Sequence, residues 1–266
     1  MKHPFLLALA VWASAFGLSA QDWAKARLEK SPRHLEWVKV KQGTRDVSAF
    51  VAYPETKDKA PAVIVIHEIF GLTDWVRGVA DQLAEAGFIA IAPDLLSGAA
   101  PGGGGTAELG SGDAVRKVIG SLPPDQITAD LNAMAEYVSK LPACTGAVSV
   151  GGFCWGGAQT FRYATQNPKL KGAYVFYGTG PDLPAELAKI ACPVFGFYGG
   201  KDERVNATIA TSTDLMKRVG KTYEPVIYEG AGHGFMRAGE APDTNEPNQK
   251  ARAEAWKRWL TLLRKP

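Results

Sequence analysis

Cys154 lies between glycines in Gly152-Phe153-Cys154-Trp155-Gly156, the spacing of a nucleophile elbow with a thiol in place of a hydroxyl. Flanking glycines allow a sharp strand-to-helix turn that raises the central side chain, and the helix N-terminus behind it favours a thiolate. A thiol nucleophile needs a base to take its proton and a carboxylate to orient that base. Asp202 follows Gly199-Gly200, and His233 lies in Glu229-Gly-Ala-Gly-His-Gly-Phe235. The chain order nucleophile, acid, histidine is the one this chemistry uses on a parallel α/β scaffold. Taken singly, Cys154 reads as a turn thiol, Asp202 as a helix cap and His233 as a turn residue. Their joint placement after successive predicted strands favours acyl transfer.

His67-Glu68-Ile69-Phe70-Gly71 follows another predicted strand, where such a scaffold places an oxyanion-binding amide. The backbone N–H groups of Ile69 and Trp155 are the expected donors, each worth about 3 kcal/mol in a comparable hydrolase. Glu68 beside an apolar strand end must be paired or protonated, and a nearby thiol or arginine would satisfy it. His67 reads equally as a pocket residue or as a strand-end histidine with a structural hydrogen bond.

The elements that must position these residues alternate. Ala62 to Ile66 forms a continuous apolar run, the pattern of a strand buried on both faces. A helix from Asp74 carries Val76, Val79, Ala80 and Leu83 on one face, and Gly87 ends it before a second buried run, Phe88 to Ala92. Helix Pro124 to Leu141, strand Ala147 to Val150, a helix near Gly156 and strands Leu170 to Tyr177 and Pro193 to Tyr198 continue the series. Helix Asn206 to Arg218, strand Tyr223 to Tyr228 and helix Gln249 to Arg264 complete it, with Trp256, Trp259, Leu260 and Leu263 facing the sheet. The solution is an α/β fold, a mostly parallel central sheet with helices on both faces. Leu35 to Val40 and Val47 to Tyr53 add antiparallel edge strands. Ser97 to Gly112, with its run Gly102 to Gly105, and Arg237 to Asn248 read as loops at the rim, the first of them mobile. The glycine run has no following Lys-Ser or Lys-Thr, which argues against a phosphate loop.

The 266 residues are 46% hydrophobic and 21% charged, ordinary globular composition that excludes a disordered chain. Thirty basic against 27 acidic residues give a net charge of +3, scattered without runs, so neither nucleic acid nor a membrane surface is an expected partner. Lys2 and His3, an apolar run from Phe5 to Leu18, and Ser19-Ala20 before Gln21 form a signal-peptide pattern. Residues 1–20 are therefore read as a leader and 21–266 as one domain, exported to the periplasm or secreted, without a membrane anchor after cleavage and monomeric. The three cysteines leave at least one free thiol in an oxidising compartment. Cys144 and Cys192 read as buried thiols, with a disulfide between them open. The four histidines and the cysteine spacings do not form a zinc cluster.

Together, Val65 to Gly71, Gly151 to Gly157, Gly199 to Asp202 and Ala231 to Arg237 resemble the dienelactone hydrolase family of α/β hydrolases, with coverage from about Pro61 onward. The resemblance implies an α/β-hydrolase fold, a Cys154–His233–Asp202 triad, a small ester or lactone substrate and no metal or organic cofactor. It also implies that Glu68 takes the thiol proton once substrate displaces it, the resting thiol being neutral and turned toward Glu68. Arg237 occupies the place of a family arginine that binds a substrate carboxylate, Gly234 stands where the family usually has Ser, and Arg116 is a weaker second anion contact. Two rival readings stay open: a promiscuous esterase or acyltransferase on larger esters, and a noncatalytic ligand-binding shell.

Overall fold

The computed structural model describes residues 22–265; the expected leader, residues 1–20, lies outside them. The strands are β1 (Leu35–Gln42), β2 (Arg45–Ala52), β3 (Ala60–Ile66), β4 (Ile89–Pro93), β5 (Cys144–Phe153), β6 (Ala173–Phe176), β7 (Val194–Gly199) and β8 (Tyr223–Tyr228). They form one sheet in the order β1-β2-β4-β3-β5-β6-β7-β8. All neighbours from β4 to β8 pair in parallel, and the β1–β2 ribbon joins antiparallel through β2 and β4. The expected fold class is therefore the observed one.

Its helices are α1 (Asp22–Glu29), α2 (Asp74–Glu85), α3 (Gly112–Ser121), α4 (Pro124–Ser139), α5 (Trp155–Ala164), α6 (Pro184–Leu187), α7 (Glu203–Asn206), α8 (Ile209–Arg218), α9 (Phe235–Ala238) and α10 (Glu246–Leu263). Strand alternation splits the core into two layers. Ala62, Ile64 and Ile66 of β3 pack with Leu131 and Met134 of α4 and Phe161 of α5 on one face. Val63 and Val65 pack with Trp75 and Val79 of α2 and Trp259 of α10 on the other. Each such fully buried aliphatic side chain contributes about 1.5–3 kcal/mol, so the strands are fixed from both sides and their C-terminal ends become rigid mounting points.

Several boundaries differ from the sequence expectation. Strand β5 starts at Cys144 and runs to Phe153, so the strand delivers the chain directly into the Cys154 turn. Strand β6 is shorter than expected: it starts only at Ala173, and it stops at Phe176 because Tyr177 leaves the extended region at φ 40°. The predicted helix from Asn206 is two, α7 and α8, and α10 begins early at Glu246, capped by the Asn245 side chain on the Asn248 N–H. Besides the single turns α6 and α9, two longer helices were absent from the sequence reading. One is α1, packed on α2. The other is α3, capped by Ser111 and burying Val115 and Ile119.

The glycine-rich segment, expected as a loop, carries local structure of its own. It holds two 3-10 turns, Pro101–Gly103 and Ala107–Leu109. Buried Asp94, just after β4, accepts hydrogen bonds from the Thr106 N–H and hydroxyl, both at 2.7 Å. The Thr106 hydroxyl in turn accepts from the Leu72 N–H at 3.1 Å, which ties this segment to the turn after β3.

Candidate active site

Cys154 is the left-handed link between β5 and α5, at φ 56° and ψ −115°. Non-glycine residues adopt such a conformation at a cost of about 1–3 kcal/mol and mostly at functional sites. The flanking glycines are sterically required. A Cβ on Gly152 would stand 2.3 Å from the Gly156 carbonyl oxygen, and one on Gly156 would stand 2.3 Å from the carbonyl oxygen of His67. The turn is thus wedged against the end of β3, which brings the Glu68-Ile69 segment beside Cys154.

Asp202 follows β7 and His233 follows β8, so parallel neighbours present them at the same sheet edge. The His233 Nδ1–H donates to Asp202 Oδ2 at 2.5 Å. Asp202 Oδ1 accepts from the Val205 N–H at 3.4 Å and caps α7, so the capping reading of Asp202 and its histidine-orienting one both hold. The hydrogen bond from His233 to Cys154 is the largest influence raising the imidazole pKa, with Asp202 adding to it against burial, and together they bring it to about 9. The ring packs edge-on against Tyr177, 5.0 Å between centroids.

Glu68 is buried and accepts a 2.8 Å hydrogen bond from Arg237 Nε. Burial pushes its carboxyl up and the Arg237 charge only partly offsets this. In the resting arrangement Glu68 is thus paired with Arg237, and the influence of Cys154 is felt at His233 and at Arg237 alike. Arg237 stands on α9, inside the segment read as a loop, with its guanidinium over Phe70 at 5.3 Å. Arg116 does not join this cluster. It lies on α3 and pairs with Asp113 on the same helix, because an i,i+3 partner one turn away satisfies it locally.

Trp155 opens α5, and the first N–H groups of a helix have no intrahelical acceptor. Ile69 lies opposite, in a turn closed by the Gly71 N–H on the Glu68 carbonyl at 3.2 Å. Ile69 and Trp155 both pack on the cluster of Leu96, Val115 and Ile119. The helix missed from sequence, α3, therefore backs both expected oxyanion donors; its Val115, Val118, Ile119 stripe after Ser111 was the available signal. His67 is fully buried, and burial lowers its pKa. Its Nδ1–H donates to the Glu68 carbonyl at 2.8 Å, and its ring stacks on Trp155 with centroids 5.4 Å apart. The structural alternative for His67 is the observed one.

Cys144 and Cys192 are buried free thiols, and burial raises Cys192 to about 11. No group of three or more His, Cys, Asp or Glu side chains arranged for a metal occurs among the described residues. No helix among them is long and apolar enough to cross a membrane. A cavity of about 670 Å³ lined by Trp37, Arg45, Asp94 and Gly103–Gly105 lies beside the glycine-rich segment and includes neither Cys154 nor His233. The reactive groups are reached instead from the surface, where the His233 side chain is 34% exposed.

A parallel-sheet edge carrying a thiol on a strained elbow, a histidine and a buried aspartate defines an α/β hydrolase. Comparison with known proteins narrows this. The model of the dienelactone hydrolase family matches residues 47–266. A Salmonella typhimurium protein provisionally named carboxymethylenebutenolidase is 33% identical over 228 residues, 81% of each chain. A Methylorubrum extorquens protein of the same provisional name is 31% identical over 232 residues, 83% of this chain and 77% of that one. A Klebsiella pneumoniae crystal structure, provisionally a dienelactone hydrolase, superposes with a TM-score of 0.75 at 25% identity, covering 88% of this chain and 99% of the other. The chain belongs to the dienelactone hydrolase family and is a hydrolase acting on esters or lactones.

Proposed function

We propose that the protein cleaves a carboxylic ester or lactone through a thioester formed on Cys154. The observation that carries this reading is the Asp202–His233 hydrogen bond at 2.5 Å at the same sheet edge as Cys154, which stands at the tip of the strained turn and raises the His233 pKa. His233 holds the thiol proton as imidazolium, and the Cys154 sulfur adds to the substrate carbonyl carbon. The N–H groups of Ile69 and Trp155 bind the resulting oxyanion. Collapse breaks the carbon–oxygen ester bond, and the departing alkoxide takes the proton from His233. Neutral His233 then removes a proton from water, whose oxygen adds to the thioester carbonyl. The second collapse releases the acid and returns the thiolate.

Glu68 and Arg237 set which esters enter. A substrate carboxylate competes with Glu68 for Arg237, and the Glu68 carboxylate so freed, already raised in pKa by burial, is a second acceptor for the thiol proton. The acyl–sulfur bond is the test. Mass spectrometry of the protein quenched during turnover of an aryl acetate is expected to show the acyl mass on the Cys154 peptide, and Cys154→Ala is expected to lose hydrolysis of both that ester and a dienelactone. Equal activity in Cys154→Ala would overturn the reading.

Export rests on the pattern from Lys2 to Ala20. N-terminal sequencing of protein recovered outside the cytoplasm is expected to begin at Gln21, and retention of Met1 would refute a cleaved leader.

A further inference from the structure

Tyr177 combines two features that ordinary packing does not require. It is a bulky residue held at φ 40° directly after β6, a conformation in which aromatic side chains are outliers. Its hydroxyl is also fully buried without a hydrogen-bond partner, although a buried hydroxyl normally has one. The strained backbone is tied on both sides. The Tyr177 N–H donates to the Phe197 carbonyl at 2.8 Å, and the preceding Phe176 carbonyl accepts from the Cys154 N–H at 3.0 Å. The ring fills the space between His233 and Phe235, at 5.0 Å and 5.4 Å.

The charged groups whose fields reach this hydroxyl are Glu68, Arg237, Cys154 and, more weakly, Glu240. Arg237 offers donors only. Glu240 is already bound by Arg252 and Gln82, and the Cys154 sulfur is a weak acceptor. Glu68 is the remaining acceptor, and its present bond to Arg237 is the contact that an anionic substrate would open. Since the hydroxyl has no exposed surface, its partner must arrive by movement of a neighbouring side chain rather than from solvent.

Building on the reading in which Glu68 yields Arg237 to a substrate carboxylate, we propose that Tyr177 is a positioning residue that receives Glu68 in its released state. Its O–H donates to the freed carboxylate and holds it beside Cys154. The resting enzyme keeps a donor unmade so that the released state gains one hydrogen bond, which makes the gate responsive to anionic esters and indifferent to neutral ones.

Tyr177→Phe tests this, because it removes only the hydroxyl. Its thermal midpoint is expected to be equal to or above that of the parent, since no resting bond is lost. For an ester bearing a carboxylate, kcat is expected to fall about tenfold with KM little changed, the loss of one charge-assisted hydrogen bond. For the matched neutral methyl ester, kcat and KM are expected to stay within about twofold, since that reaction does not release Glu68. A lowered midpoint, equal losses on the two esters, or no loss on either would overturn the proposal. If the parent and Cys154→Ala hydrolyse the neutral ester alike, the nucleophile assignment itself fails and Tyr177 falls with it. Cysteine-dependent turnover with an unchanged ratio between the two esters would sink the Tyr177 role alone.

Discussion

Asp202 divides its carboxylate between two tasks: one oxygen accepts from His233 at 2.5 Å and the other caps the short helix α7. The two tasks separate by mutation. Asparagine caps helices about as well as aspartate, so Asp202→Asn is expected to fold normally. Without the negative charge and with an amide donor facing His233, kcat is expected to fall about 10⁴-fold, as at the equivalent position of a serine triad. Asp202→Ala is expected to lose a further ~0.5–1 kcal/mol of stability with the cap. Thermal melts beside kinetics separate the two, and a large melting deficit in Asp202→Asn would contradict this division.

The His233 imidazole is raised from 6.5 to about 9, chiefly by its hydrogen bond with Cys154. Cys154→Ala is therefore expected to lower the His233 titration midpoint followed by NMR, leaving only the Asp202 contribution. Because the folded value is the raised one, the linked stability is fully present below 6.5 and is lost as pH rises through about 9. The parent should accordingly lose more of its denaturant midpoint than Cys154→Ala between pH 7 and pH 10. Identical titrations in the two proteins would show that no such coupling exists.

Removing Arg237 leaves Glu68 as a buried charge without its cation. Arg237→Met is expected to cost about 2 kcal/mol, less than the loss at a fully buried pair because the arginine is 32% exposed. Its loss removes the two larger influences that lower the Glu68 carboxyl and leaves only the weaker one of His233, so that pKa rises further. Protonation then removes the buried charge, and the deficit is expected to shrink as pH is lowered from 8 to 5. Denaturant melts at the two pH values check the sign. Selectivity for esters bearing a carboxylate should fall in the same variant.

Thr106 bridges Asp94 and the turn that carries Ile69. Thr106→Val keeps the shape and removes the hydroxyl, leaving the Leu72 N–H and one Asp94 contact unmade. A loss of about 1–3 kcal/mol is expected, together with a lower kcat at nearly constant KM, because a displaced Ile69 amide weakens binding of the oxyanion rather than of the substrate. An unchanged kcat would show that the Thr106 bond and the amide are independent.

Where side-chain period and chain order carry the information, the sequence was sufficient. The apolar runs around Ile64 and Ile91 and the stripe Ile127, Leu131, Met134, Val138 gave the layered sheet, and the order Cys154, Asp202, His233 gave the site. What stayed hidden depended on contacts distant in sequence. The resting partner of Glu68 was open between a thiol and an arginine, and it is 169 positions away. Arg116 was the weaker candidate for a second anion contact, and it pairs with a neighbour one helical turn distant. The tie of the Gly102 to Gly105 segment to the sheet stayed hidden because Asp94 and Thr106 lie in flanking residues with no periodic signature. The left-handed Tyr177 had no signal at all, since tyrosine carries no bias toward that conformation.

The order in which the site residues leave the ribosome has its own consequence. Cys154 is complete well before Asp202 and His233, and Arg237 follows on α9 near the C-terminal end. A nascent chain lacking its last strand and helices thus carries a thiol without a base and an acidic Glu68 without its cation. Reactivity is assembled last, when β8 docks on β7 and brings His233 to Asp202. On the proposed reading, docking of the final strand is therefore also the event that completes the machinery around Cys154.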